Sequence, residues 1–290
     1  MSKHVPKIIS NRVLVAGVLS ALLWTCVASW PAAGADNARL PNFAPDDSTG
    51  WVPARGAGDE FLPPTSGPGP VTSEKDHPYV PNREGQPTYR IAELNNPVLQ
   101  PWVVERLKKA NDAVRAGKVP FIPHERCWPG GVPGFEVYTR VRPIYFLQTP
   151  KEVTIVDELD HQVRHIYMNV PHSAHPASSW YGESVGHYEG DELVIDTLGL
   201  NDKTFVDNYQ TPHTDQIHVV ERFKLIEDGK ILQATVTVDD PGAFKMRWSA
   251  IQRYRRGETR PMIELNCAEN NYDFLGYEVM PIPEAHRTDF

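Results

Sequence analysis

Positive charge is in short supply in this chain. Its 290 residues carry 29 Lys and Arg against 37 Asp and Glu, a formal net charge of −8. Nucleic acid is therefore not an expected partner, because phosphate binding needs clustered cations. Long apolar runs are missing too. The run from Val13 to Trp24 is too short to span a bilayer comfortably, so no membrane span is expected once it is removed. No internal repeat appears at solenoid spacing. No P-loop is present, and the G-x-S-x-G match at Gly182-Glu-Ser-Val-Gly186 lacks the helix that follows a nucleophile elbow, so serine catalysis is not read from it. Cysteine is limited to Cys26, Cys127 and Cys267.

The N-terminus supplies a reason for that cysteine usage. Lys3 and Lys7 precede the apolar run and Ala33-Gly34-Ala35 follows it, the pattern of a secretory signal over 1–35 cleaved after Ala35. The mature protein is then periplasmic or secreted. Cys26 leaves with the signal, and an even pair, Cys127 and Cys267, remains for a disulfide in an oxidising compartment. Closing so long a loop is worth about 4–5 kcal/mol in the chain-entropy account, an upper figure.

Residues 36–90 are rich in Pro, Gly, Ser and Asp, as in Leu62-Pro-Pro-Thr-Ser-Gly-Pro-Gly-Pro70, and read as an irregular segment docked in part through its C-terminal end. Residues 91–290 read as a single β-rich domain with a leading helix. That helix follows Asn96-Pro97 and runs to about Ala116, with Trp102, Val103, Leu107, Ala110 and Val114 near helical spacing and Gly117 as its stop. It is expected to pack outside the sheet. After Gly134 the period changes to two. Eight strands follow, at 138–148, 152–158, 163–169, 184–189, 192–197, 217–226, 231–238 and 246–255, with short joints such as Glu189-Gly190-Asp191. Tight links without helices imply an antiparallel meander, and open edges favour its closure into a calycin-like barrel, with a two-sheet sandwich as the alternative.

Polar chemistry is densest between Tyr167 and Phe223. His213 stands in a loop entering the strand of Glu221 and Arg222, and is the candidate general acid or base, with Asp207, Glu221 and His187 as its catalytic partners. Trp180, Tyr188, Phe205, Tyr209 and Arg222 are candidate substrate contacts. Asp196 follows Val194 and Ile195 in a strand and needs a partner, with Arg164 or Arg222 the candidates. No organic cofactor is implied. His172 and His175 form an H-x-x-H pair that is a weak alternative for a divalent metal. These groups suit an exported enzyme working by His/carboxylate acid–base chemistry on a small organic molecule, as a lyase, hydratase, isomerase or simple hydrolase. The alternative is a lipocalin-like carrier of a small apolar ligand. Neither reading sets an oligomeric state.

Ser184-Val-Gly-His-Tyr-Glu-Gly-Asp-Glu-Leu-Val-Ile-Asp-Thr-Leu-Gly-Leu-Asn-Asp202 and Pro212-His-Thr-Asp-Gln-Ile-His-Val-Val-Glu-Arg-Phe223 resemble a largely uncharacterised bacterial family of exported proteins. That family carries a G-[RHW]-W-E-G-D-x-L-V-V-D-T-x-G-F-N-D segment followed by H-[ST]-[DE]-x-L-H-V-x-E-R-[FY]. The similarity runs from about Arg126 to the region of Cys267 and departs at Tyr188 and Leu200, where the family has Trp and Phe. It implies export and a shared fold rather than a reaction.

Intact mass of the purified exported protein is expected to start at Asp36 and to rise by the mass of two hydrogens on reduction. Two freely alkylated thiols in the unreduced protein would refute the Cys127–Cys267 bond.

Overall fold

The structure, a computed structural model, describes residues 40–44, 49–54, 60–78, 90–118, 127–138, 143–159, 162–257 and 261–263. Its framework is a closed barrel of nine strands in chain order: β1 (Trp51–Pro53), β2 (Ile144–Gln148), β3 (Glu152–Asp157), β4 (Gln162–Met168), β5 (Glu183–Glu189), β6 (Glu192–Leu198), β7 (His218–Ile226), β8 (Ile231–Asp239) and β9 (Trp248–Arg256). The period-two pattern decides the inside. Val219, Glu221 and Phe223 of β7 are buried while the residues between them are half exposed, and β8 and β9 repeat the alternation with Leu232, Ala234, Val236 and Val238, and with Trp248, Ala250, Gln252 and Tyr254. Large side chains fill the interior, among them Trp51, Phe146, Phe223, Trp248 and Tyr254.

Three features differ from the sequence reading. The segment 36–90 is not irregular throughout, because Trp51–Pro53 pairs with both β9 and β2 and closes the barrel. Trp51 is fully buried, its indole N–H donates to the Phe43 carbonyl at 2.9 Å, and the Arg256 guanidinium lies 3.7 Å from its ring centroid. One aromatic anchor thus supplies the burial that Pro- and Gly-rich flanks do not. The strand expected from 138 begins instead at Ile144, and a short helix, α2 (Phe135–Tyr138), precedes it. The meander is also not wholly antiparallel: β4 and β5 pair in parallel, with Tyr167 opposite Val185. A parallel step cannot use a tight turn, so residues 169–182 must carry the chain back along the barrel.

The expected helix is α1 (Pro101–Arg115), with Val103, Leu107, Asn111 and Val114 buried and Gly117 at a φ of 82° past its end. It lies outside the barrel, held by paired bonds between Asn111 and the Ala92 backbone and by the Trp102 indole on the Gly242 carbonyl.

Polar groups inside the barrel are joined into one network. Arg164 of β4 makes a two-pronged ion pair with Glu221 of β7, at 2.9 and 2.5 Å, and donates to Ser184 of β5 and Thr197 of β6 at 3.2 and 2.8 Å. The α2 residue Glu136 joins from the side, accepting from the Tyr254 hydroxyl at 3.2 Å, while Gln252 donates to the Glu136 carbonyl at 3.0 Å. Burial pushes the Glu136 carboxyl well above its ordinary 4.5, and the neighbouring Glu221 carboxylate pushes it further.

A raised carboxyl stabilises the fold fully below its unfolded pKa, and that contribution is lost as pH climbs toward the folded value. Glu136→Gln, which keeps the shape without the charge, is expected to raise the melting temperature near pH 8, by roughly 1–3 kcal/mol of stability, with no gain near pH 4. Parallel melting curves for the two proteins across that range would show that Glu136 is not a buried acid.

Candidate acid–base site

The parallel step has a consequence on the outside of the barrel. In β6, Ile195 and Thr197 point inward, so Asp196 faces out; in β7, inward Val219 places His218 outward. Asp196 lies opposite Val220 and beside Val185, and Glu183 and Leu198 are paired one row along. Glu183 and His218 therefore approach Asp196 along the diagonals of the sheet, a distance long side chains bridge. The return segment 169–182 crosses this surface and lays His172 on it. Its path is fixed by close packing at Gly199, where an added Cβ would lie 2.9 Å from Pro176, and by the Ser179–Leu200 bridge.

Four side chains then form a chain of hydrogen bonds. His172 Nδ1 lies 3.0 Å from Glu183 Oε1, and its Nε2 lies 2.9 Å from Asp196 Oδ1. His218 Nε2 reaches the same Asp196 oxygen at 2.9 Å. The Ser173 backbone N–H donates to Glu183 Oε1 at 2.8 Å. The site is open to solvent in graded fashion, with His172 19% exposed, Glu183 25%, Asp196 36% and His218 37%.

Charge is tuned along this chain. Hydrogen bonds from the hydroxyl and backbone of Ser173 hold Glu183 below its usual range. Partial burial raises Asp196, but the bonds from His218 and His172 outweigh it and leave the carboxylate lowered. The bond to Asp196 raises His218 above the ordinary imidazole value, against partial burial. Only one nitrogen of His218 is engaged, and its Nδ1 has no partner among the described residues. A carboxylate that holds one ring nitrogen and leaves the other open is the arrangement of an oriented general base.

The residues singled out from sequence are dispersed by the fold. His213 is buried, with Nδ1–H donating to the Thr214 carbonyl at 2.9 Å and Nε2 accepting from the Thr204 hydroxyl at 2.8 Å. A carbonyl can only accept, so Nδ1 carries the proton in the neutral ring. Burial lowers its pKa. Asp207 does not orient it; its Oδ1 instead accepts the backbone N–H groups of Tyr209 and Thr211, at 2.9 and 3.2 Å, and burial pushes its carboxyl up to about 7. Glu221 points into the barrel and is committed to Arg164, on the face opposite Arg222. His187 is on the outer surface, 2.9 Å from Glu189, and Arg222 pairs with Glu189 and Glu192.

The aromatic set is likewise spread. Tyr209 and Phe205 are core residues, Tyr209 with its hydroxyl 2.6 Å from Ser73. Tyr188 accepts from Gln148 at 2.8 Å, and Trp180 packs edge-on against Trp128 under the Lys203 ammonium. The H-x-x-H pair diverges: His172 joins the chain described above, and His175 is exposed. No group of three His, Cys, Asp or Glu side chains is gathered to hold a metal among the described residues. Cys127 is disulfide-bonded, and Cys267 lies outside the described residues.

Asp196 had been flagged for a partner, but it finds His172 and His218 rather than an arginine. The signal that finds them is the hairpin register. Once Gly190-Asp191 is fixed as the turn, with Glu189 opposite Glu192, the outward faces of β5 and β6 put Glu183 and Asp196 within reach of each other. No family model matches the chain, and no curated protein does.

His213→Ala removes a buried ring with both nitrogens bonded and strands the Thr204 hydroxyl. It is expected to cost about 2–4 kcal/mol of stability. Because its pKa is lowered, wild-type stability should also fall as pH drops below the unfolded imidazole value. Urea unfolding of the two proteins checks both; a variant as stable as wild type would return His213 to the list of catalytic candidates.

Proposed function

We propose that the protein is an exported enzyme that transforms a small organic molecule by acid–base chemistry, with His218 as the working acid or base and Asp196 as the group that orients it. The observation that carries this reading is the Asp196–His218 pair. One ring nitrogen is held at 2.9 Å by a carboxylate, and the other is open on a half-exposed surface. In the neutral ring the Nε2–H donates to Asp196 and the Nδ1 lone pair removes a proton from substrate. In the charged ring Nδ1–H returns it. Such a pair serves proton removal and return in an isomerisation, loss of a leaving group in a lyase or hydratase, or activation of water in a simple hydrolysis. No organic cofactor is needed for any of these.

Val185 and Val220 flank Asp196 on the same row of the outer face, and exposed Tyr167 lies beyond Val185. This apolar strip suits the carbon skeleton of the substrate, with its reacting group over His218. A carrier would instead need room inside the barrel, where Trp51, Phe146, Phe223 and the Arg164–Glu221 pair already sit. Export is supported by the signal pattern and by the disulfide at Cys127, for which Cys267 is the proposed partner.

The test is a panel of small hydroxy, carbonyl and ester compounds incubated with the protein in D2O, with product or hydrogen exchange read by NMR. His218→Asn is expected to lower turnover by about 100- to 10,000-fold while leaving the melting temperature near wild type. Turnover should rise with pH through the raised His218 value if the ring acts as base, and fall if it acts as acid. A folded variant that keeps turnover within a few-fold of wild type would overturn the assignment.

A further inference from the structure

We propose that His172 is a positioning residue for the Asp196–His218 pair: clamped between Glu183 and Asp196, it competes for the one Asp196 oxygen that His218 uses and so sets the pH at which His218 exchanges its proton. The proposal deepens the reading above and rests on it only for its catalytic meaning, since the electrostatic claim holds for the cluster whether or not a substrate turns over.

The geometry is specific. Both nitrogens of His172 lie against carboxylate oxygens, 3.0 Å from Glu183 Oε1 and 2.9 Å from Asp196 Oδ1. Ionised carboxylates only accept, so a proton on either His172 nitrogen meets an acceptor. With neither nitrogen open and only 19% of its side chain exposed, His172 has no atom to offer a substrate. What it offers is a fixed N–H to Asp196 Oδ1, the oxygen that His218 Nε2 also approaches at 2.9 Å. A second donor on a shared acceptor weakens the first bond. His172 thus limits how tightly His218 holds its proton.

Glu183 makes the clamp possible. It is itself fixed by the Ser173 N–H at 2.8 Å, so the residue following His172 and the ring of His172 grip the same carboxylate oxygen. The other charges facing His218 are Asp239 on β8, which favours the charged ring, and Arg247 before β9, which opposes it; these two are paired with each other at 2.8 Å. On the side of His172 the facing charges are Glu183 and Asp196. Neither Asp239 nor Arg247 touches the Asp196 oxygen that His218 and His172 share, so the competition at that oxygen belongs to His172.

The experiment is a pH titration of the imidazole signals of the full mature protein by 15N–1H NMR, without substrate. In His172→Ala the His218 midpoint is expected to move up by about 0.5 unit or more, since Asp196 then serves one donor. Glu183→Gln keeps an accepting oxygen at His172 Nδ1 but removes its negative charge and so loosens the clamp, and should move the midpoint the same way by less. This second variant decides the matter if the first loses its fold. A His218 midpoint that stays put or moves down in a folded variant overturns the proposal. If turnover is found, the pH–rate profile should shift with the midpoint in His172→Ala. Loss of turnover in His218→Asn with an unmoved midpoint in His172→Ala would leave the enzyme reading standing and remove this one.

Discussion

The Arg164–Glu221 pair is the constraint on which the barrel depends. Burying two charges is expensive, and their attraction repays it only when every remaining donor and acceptor is met. Meeting them takes Ser184 and Thr197, so one guanidinium ties β4, β5, β6 and β7 into a single register. A slip of one residue in β4 or β7 would turn one partner outward and strand the other charge inside, at a cost of about 3–5 kcal/mol, and a slip in β5 or β6 would take an acceptor away from the guanidinium. Apolar packing alone would tolerate such slips better. The pair contributes more to the choice of register than to net stability.

The same register governs the outer wall. Adjacent residues point to opposite faces, so Ser184 facing in puts Glu183 out, and Thr197 facing in puts Asp196 out. The inner ionic network and the outer acid–base cluster are two sides of one pair of strands. The parallel step between β4 and β5 completes the arrangement, because the chain can return only along the barrel and so delivers His172 to Glu183 and Asp196. Had β5 followed β4 through a tight turn, this return segment would not exist.

Most of the barrel was legible in the sequence. Its strands alternate with short joints, and Glu189-Gly190-Asp191 forms the expected hairpin, with Gly190 at a φ of 61°. What escaped was set by contacts between distant segments. Trp51 lies in a stretch whose composition argues against a strand, and only its burial against β9 and β2 makes one. Glu136 lies in a short helix, and burial together with Glu221, far along the chain, raises its carboxyl above the usual range. The orientation of His213 was illegible for a related reason. His213 combined a loop with nearby carboxylates in sequence, but closeness in sequence does not say which way a ring faces, and this one turns into the core. Asp196 was recognised as needing a partner; the partners followed from the register and the crossover, neither of which is a local property.

His213 and His218 show how exposure separates a closed imidazole from an open one. Both are held by good hydrogen bonds, and both have shifted titration, in opposite directions and for opposite reasons. His213 is buried with both nitrogens spent, so its neutral tautomer stabilises the loop and no proton can pass through it. His218 is held at one nitrogen by a charged oxygen, which favours the imidazolium and leaves the second nitrogen open to whatever lies on the surface. A proton carrier needs that asymmetry: one atom fixed by the protein, the other available. On an open wall water screens the Asp196–His218 attraction, and the free nitrogen can exchange its proton with solvent. The same pair sealed inside the barrel would be held in one state.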